Sequence, residues 1–161
     1  MASTDTLLSF QPLANHPPSS NYATMDMRGD FPLLDFDDST NEAAQFLAHV
    51  PSHYNSGNLT ATLLWAATSA TSGNMKFRVE LTRITDGSNL DSLPSVGDSD
   101  DVTAAAPGTS GDIESSTTAE MTVASLAAGD LLLVEVTRLA SDVADTMTGD
   151  MELVGLSLAE V

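Results

Sequence analysis

Three histidines, His16, His49 and His53, are the chain's whole supply of imidazole, and cysteine is absent. His49 and His53 stand four residues apart, the spacing that aligns two zinc ligands on one helix face. Pro51 lies between them and would break that helix, and no glutamate follows His49. Zinc hydrolysis is therefore not the reading of this pair. Carboxylates are far more plentiful. They cluster at Asp35/Asp37/Asp38, Asp98/Asp100/Asp101, Asp142/Asp145 and Asp150/Glu152. A glycosidase needs two such groups about 5–10 Å apart across a cleft, one with a raised pKa. A chain with 23 acidic residues supplies carboxylate pairs by composition alone, so they do not single out a hydrolase. Calcium is better served. Asp35-x-Asp37-Asp38 and Asp98-x-Asp100-Asp101 place hard oxygen donors on what read as loops, without the glycine and glutamate of an EF-hand. No other cofactor is expected. Asp142, Asp145 and Asp150 read as turn residues with solvated charge. No nucleophile motif or phosphate-binding glycine loop is present, so the chain is not expected to be an enzyme. Of the larger aromatic residues, Trp65 sits on an apolar face and reads as core, and Tyr54 in a polar turn is the better exposed sugar platform.

The charge balance narrows the partners. Lys and Arg total 5 against 23 acidic residues, for a net charge of −18. Such a surface repels phosphate backbones and anionic membranes, so neither nucleic acid nor membrane is an expected partner. It would suit a high-salt milieu, where screening relieves self-repulsion. The N-terminus has no basic segment followed by an apolar run, so no secretory signal is expected. Nothing approaches the roughly 18 apolar residues of a membrane helix.

These residues must be held by β-structure. Threonine, serine, alanine and glycine are abundant, and only 17% of residues are charged, unlike a helical protein. Residues 130–139 and 150–161 read as two strands joined by an Asp-rich connection. In residues 75–84, Phe77, Val79 and Leu81 alternate with Lys76, Arg78, Glu80 and Thr82. In residues 59–67, Leu59, Ala61, Leu63, Trp65 and Ala67 share a face, and the turn TSATSGN suggests that these two strands form a hairpin. Residues 21–28, 31–36, 42–50 and 112–122 also read as strands. The segment 42–50 could open as a helix at Thr40, but its alternation favours strand. Residues 85–111 read as a long acidic loop with a short strand near 102–105. The sum is about eight or nine strands with turn signals between them, an all-β antiparallel sandwich. Residues 1–20 carry Leu7, Leu8, Phe10 and Leu13 before Pro17-Pro18, and read as an extended N-terminal arm on a sandwich domain of residues 21–161.

The stretches LTATLLWAATSATSGNMKFRVELTRI and LAAGDLLLVEVTRLASDVADTMTGDMELVGLSLAEV resemble small jelly-roll structural proteins of tailed-phage particles. The front, SNYATMDMRGDFPLLDFDDSTNEAAQFLAHVP, fits the same group, so the likeness spans about residues 20–161. Its motifs are the Trp65 strand and the turns at Gly129-Asp130, Asp145-Thr146 and Gly149-Asp150. They specify a fold and carry no chemistry. The resemblance implies a jelly roll and a virion location. The leading expectation is a capsid decoration (cement) protein on the outer surface of the head, linking neighbouring major capsid subunits as a homotrimer. The alternative is a tail-fibre or host-attachment module that binds carbohydrate. A subunit contact is expected from the arm (Leu7, Leu8, Phe10, Leu13) and from the last strand. There, strict alternation puts Met151 and Leu153 on one face and Val154, Leu156 and Leu158 on the other.

Overall fold

The computed structural model describes residues 5–161, which form ten strands and no α-helix. In chain order they are β1 (Asp5–Phe10), β2 (Thr24–Arg28), β3 (Phe31–Phe36), β4 (Glu42–His49), β5 (Leu59–Ala67), β6 (Asn74–Ile84), β7 (Asp98–Ala105), β8 (Glu114–Thr117), β9 (Leu131–Arg138) and β10 (Met151–Glu160). One sheet runs β2-β3-β10-β5-β8, with β1 also pairing β10; the other runs β4-β9-β6-β7. All strand pairs are antiparallel. The two sheets close on one core as a jelly-roll β-sandwich, the class the alternating patterns predict.

The core is made by the alternation. Leu59, Ala61, Leu63, Trp65 and Ala67 of β5 face Phe77, Val79 and Leu81 of β6 and Leu132, Val134 and Val136 of β9, all buried. Each large apolar side chain so buried contributes about 1.5–3 kcal/mol. Trp65 is fully buried, and its indole N–H donates to Ser116 Oγ at 2.9 Å, which satisfies its polar edge.

Four expectations change. First, β5 and β6 are not a hairpin. The turn between them carries the chain from one sheet to the other, because both apolar faces look into the same core from opposite sides. Gly73 makes this turn possible. Its φ is +89°, and a Cβ there would meet the Thr146 carbonyl oxygen at 2.5 Å.

Second, the described part of the N-terminal arm lies on its own domain rather than on a neighbour, and joins its sheet. β1 pairs with β10, matching Leu8 to Leu158 and Phe10 to Leu156. A 3₁₀ turn at Pro12–Ala14 follows, and Asn15 and His16 then bond the edge of β4 at Gln45. No boundary at residue 20 separates this segment from the sandwich. Leu7 and Phe10 are buried, with the Phe10 and Phe46 ring centroids 5.3 Å apart. Leu8 packs partly against the core, and Leu13 is exposed.

Third, β10 does not have two apolar faces. Its register against β5 slips between Leu153 and Gly155, a β-bulge with Val154 as the extra residue. The slip restores the phase, so Met151, Leu153, Leu156 and Leu158 are all buried in the chain's own core. Of the six residues expected to touch another subunit, Leu7, Phe10, Met151 and Leu153 are thus already covered by their own chain.

Fourth, the 85–111 segment holds the full strand β7, and only the part before that strand lies against the outer face of the four-stranded sheet. There Leu93, Pro94 and Val96 border Thr82 and Leu133.

Candidate functional site

The bulge in β10 shapes the outer face of the larger sheet. Below it, β3 pairs with β10 from Met151 to Leu153; above it, β1 pairs from Leu156 to Glu160. Neither neighbour pairs with Val154 or Gly155. Gly155 adds no side chain at this gap, and a groove of about 430 Å³ opens there. Its walls carry Thr6, Ser9, Gln11, Thr62 and Ser157, all neutral hydrogen-bonding side chains, together with Phe31, Leu64 and Val154. Phe31 is 70% exposed, which is unusual for so large an apolar ring.

Phe31 and Val154 also line a second, smaller cavity of about 130 Å³, with Leu33, Ala66, Ile113, Gly111, Arg28 and Glu152. Arg28 is part of this lining. Its guanidinium donates to Glu152 Oε2 (2.5 Å), to the Ala67 carbonyl (3.3 Å) and to Ser110 Oγ (3.1 Å). Ser110 in turn donates to the Thr68 carbonyl. Gly111 must be glycine here: its φ is +83°, and a Cβ would meet the guanidinium at 2.8 Å. Glu152 lies directly across from Asp35 in the β3–β10 pair. Burial, reinforced by the charges of Glu152 and Asp26, pushes Asp35 up to about 7. Among the described residues its buried Oδ1 has no hydrogen-bond partner.

The acidic residues sort differently from their order in the chain. Asp37, Asp38 and Asp150 come together, each with an oxygen within 4.8 Å of the others. The loop after β3 brings the first two, and the turn into β10 brings the third. Asp37 Oδ1 accepts from Ser39 N, Ser39 Oγ and Thr40 N, which holds that carboxyl below the usual range. Asp150 accepts from Asp38 N at 3.1 Å, yet burial and the charges of Asp38 and Asp37 raise it. Arg138 braces this corner from inside. Fully buried, it forks onto both oxygens of Asp145 and donates to the Phe36, Met147 and Gly149 carbonyls. Three carboxylate oxygens within 4.8 Å of one another are the hard donor type that calcium takes.

The other expected groups separate. Asp98, Asp100 and Asp101 are on a strand and form no loop cluster. Asp98 and Asp100 accept from Thr122 N and Ala119 N, and Asp101 pairs with Arg78 and Lys76. Asp145 is not a solvated turn residue but half of a buried ion pair, and Asp142 pairs with Lys76 at 2.7 Å. Tyr54 is no open platform: it packs partly against the core, and its hydroxyl donates to the Gly57 carbonyl. His49 and His53 do not join the one cluster of ligating groups found among the described residues. Phe31, Arg28 and Gln11 were not legible as site residues. The only signal was the Val154-Gly155 break in the alternation of the last strand.

No protein-family model matches the sequence, and no curated protein matches it. Solved structures match the fold along nearly the whole chain. The carbohydrate-binding module CBM36 in complex with calcium and xylotriose superposes with a TM-score of 0.54 at 12% identity, covering 94% of this chain and 99% of that one. CBM35 from Cellvibrio japonicus Abf62 gives 0.52 at 13% identity, covering 95% and 92%. CsCBM6-3 from Clostridium stercorarium in complex with cellobiose gives 0.51 at 9% identity, covering all of both chains. At these identities the likeness establishes the fold, a β-sandwich shared with carbohydrate-binding modules.

Proposed function

We propose that the protein is a non-catalytic glycan-binding module whose ligand lies in the groove over Val154 and Gly155. One observation carries the reading: an exposed Phe31 beside five neutral hydroxyl and amide side chains, on the face of a rigid sheet. A sugar offers an apolar C–H face for the ring and hydroxyls for the rest, and protein sites fix small ligands with this mixture. The groove side chains carry no charge, although the chain carries −18, which matches a neutral partner. The carbohydrate-binding modules that share the fold support the same class of ligand. Capsid decoration draws no support from the groove, and none of the structures named above is a virion protein.

The test is a glycan array followed by affinity electrophoresis on the polysaccharides that bind. Phe31→Ala is expected to weaken binding roughly tenfold or more, because an exposed central aromatic is the residue most often responsible for affinity. Undiminished binding by that variant would remove the groove from consideration.

Asp37, Asp38 and Asp150 would hold a calcium ion as a brace between the β3–β4 loop and the start of β10. Millimolar calcium is expected to raise the melting temperature, chelator to reverse it, and Asp150→Asn to abolish the shift. Identical melting curves with calcium and with chelator would dismiss the ion.

A further inference from the structure

We infer that the small cavity beside the groove takes the acetyl group of an acetylated, otherwise neutral glycan. The inference rests on the glycan-binding reading and names the substituent that the site selects. The two depressions share Phe31 and Val154, so one ligand can occupy both. Their chemistry is divided. The groove mixes five hydroxyl and amide side chains with Phe31, Leu64 and Val154, whereas the cavity has no neutral hydroxyl or amide and is walled by Leu33, Ala66, Ile113, Phe31 and Val154, with Arg28 and Glu152 as its polar groups. A polyhydroxylated body therefore fits the first, and an apolar branch fits the second.

At about 130 Å³ the cavity is below the size of a typical ligand pocket, so it suits a substituent rather than a whole sugar. The Arg28 guanidinium is part of its lining. Three of its five N–H groups go to Glu152, Ala67 and Ser110 among the described residues. The guanidinium edge can therefore donate to a carbonyl oxygen, while the apolar wall receives the methyl. A deoxy-sugar methyl would leave that donor unused. A uronate carboxylate would meet Glu152, which already neutralises Arg28, and Asp35 behind it. An acetyl group satisfies both the apolar wall and the donor without adding charge.

The experiment uses acetylated xylan and acetylated glucomannan, each before and after mild alkaline de-esterification, with polygalacturonate as the anionic control. Removing the ester leaves the backbone and the charge unchanged. The full chain is expected to bind the acetylated polymers roughly tenfold more tightly, as a methyl-sized group in an apolar pocket commonly discriminates. Ala66→Leu fills the cavity from its floor and should erase that preference while binding to the de-esterified polymers persists. Ile113→Trp fills it from the exposed rim and makes the same test if the first variant does not fold. Equal binding of both forms by the wild-type chain, or a preference that survives cavity filling, would overturn the acetyl assignment and leave glycan binding standing. Stronger binding to polygalacturonate than to the neutral polymers would also overturn it. Binding to none of the polymers, nor to any glycan on the array, would remove the glycan reading and this inference together.

Discussion

Arg138 shows what a single residue does in this fold. It is fully buried, its charge is matched by Asp145, and its remaining N–H groups hold three carbonyls of the Asp37–Asp150 corner. Arg138→Met would leave the Asp145 carboxylate buried without its cation and free those carbonyls. The expected loss is about 3–5 kcal/mol in chemical denaturation, the cost typical of breaking one half of a buried pair. A loss under about 1 kcal/mol would mean that the corner is not held by this residue. Glu80 lies opposite Glu135 on the outer face of β6 and β9. Burial first, and then the Glu135 charge, raises its pKa. The folded state therefore holds this proton more tightly than the unfolded chain. The resulting stability is present below the ordinary carboxylate range and is lost as pH rises through the raised value. Glu80→Gln should be more stable than the wild type at neutral pH and should converge with it near about pH 4. Parallel stability curves across that window would contradict the assignment.

At the scale of elements, the bulge in β10 is the informative feature. Reading 151–161 as a strict period of two puts apolar residues on both faces and points to a subunit contact. One extra residue, Val154, removes that conflict, because Met151, Leu153, Leu156 and Leu158 then share the inward face. Removing Val154 leaves an uninterrupted alternation with the same inward set. The deletion is therefore expected to fold cooperatively, with a cost of about 1–2 kcal/mol from crowding where β1 and β3 meet. The groove should close, and the glycan binding proposed for it should disappear. Thermal unfolding together with affinity electrophoresis reads both effects. A deletion that keeps full binding would show that the bulge does not shape the site.

For the whole molecule, charge is the controlling quantity. Among the described residues, all five lysine and arginine side chains are already paired: Arg28 with Glu152, Lys76 with Asp142, Arg78 with Asp101, Arg83 with Asp130 and Arg138 with Asp145. The remaining carboxylates repel one another across a net charge of −18. Screening should relieve this, so the melting temperature is expected to rise steadily from low salt to about 1 M sodium chloride. A falling curve would mean that the ion pairs outweigh the repulsion. The sequence by itself determined the sandwich. Alternation on β5, β6 and β9 gave the inward faces, and glycine and aspartate turns set the strand boundaries, because both signals are local. Only the tertiary structure decided which strands pair. The β5–β6 connection crosses between sheets, and β1 and β3 divide the edge of β10, since pairing depends on contacts far apart in the chain. The site follows the same division. Phe31, Gln11, Ser157 and Arg28 lie on different strands and loops and carry no common motif. They meet only because an extra residue in the last strand opens a gap between two neighbours that arrive from the other end of the sequence.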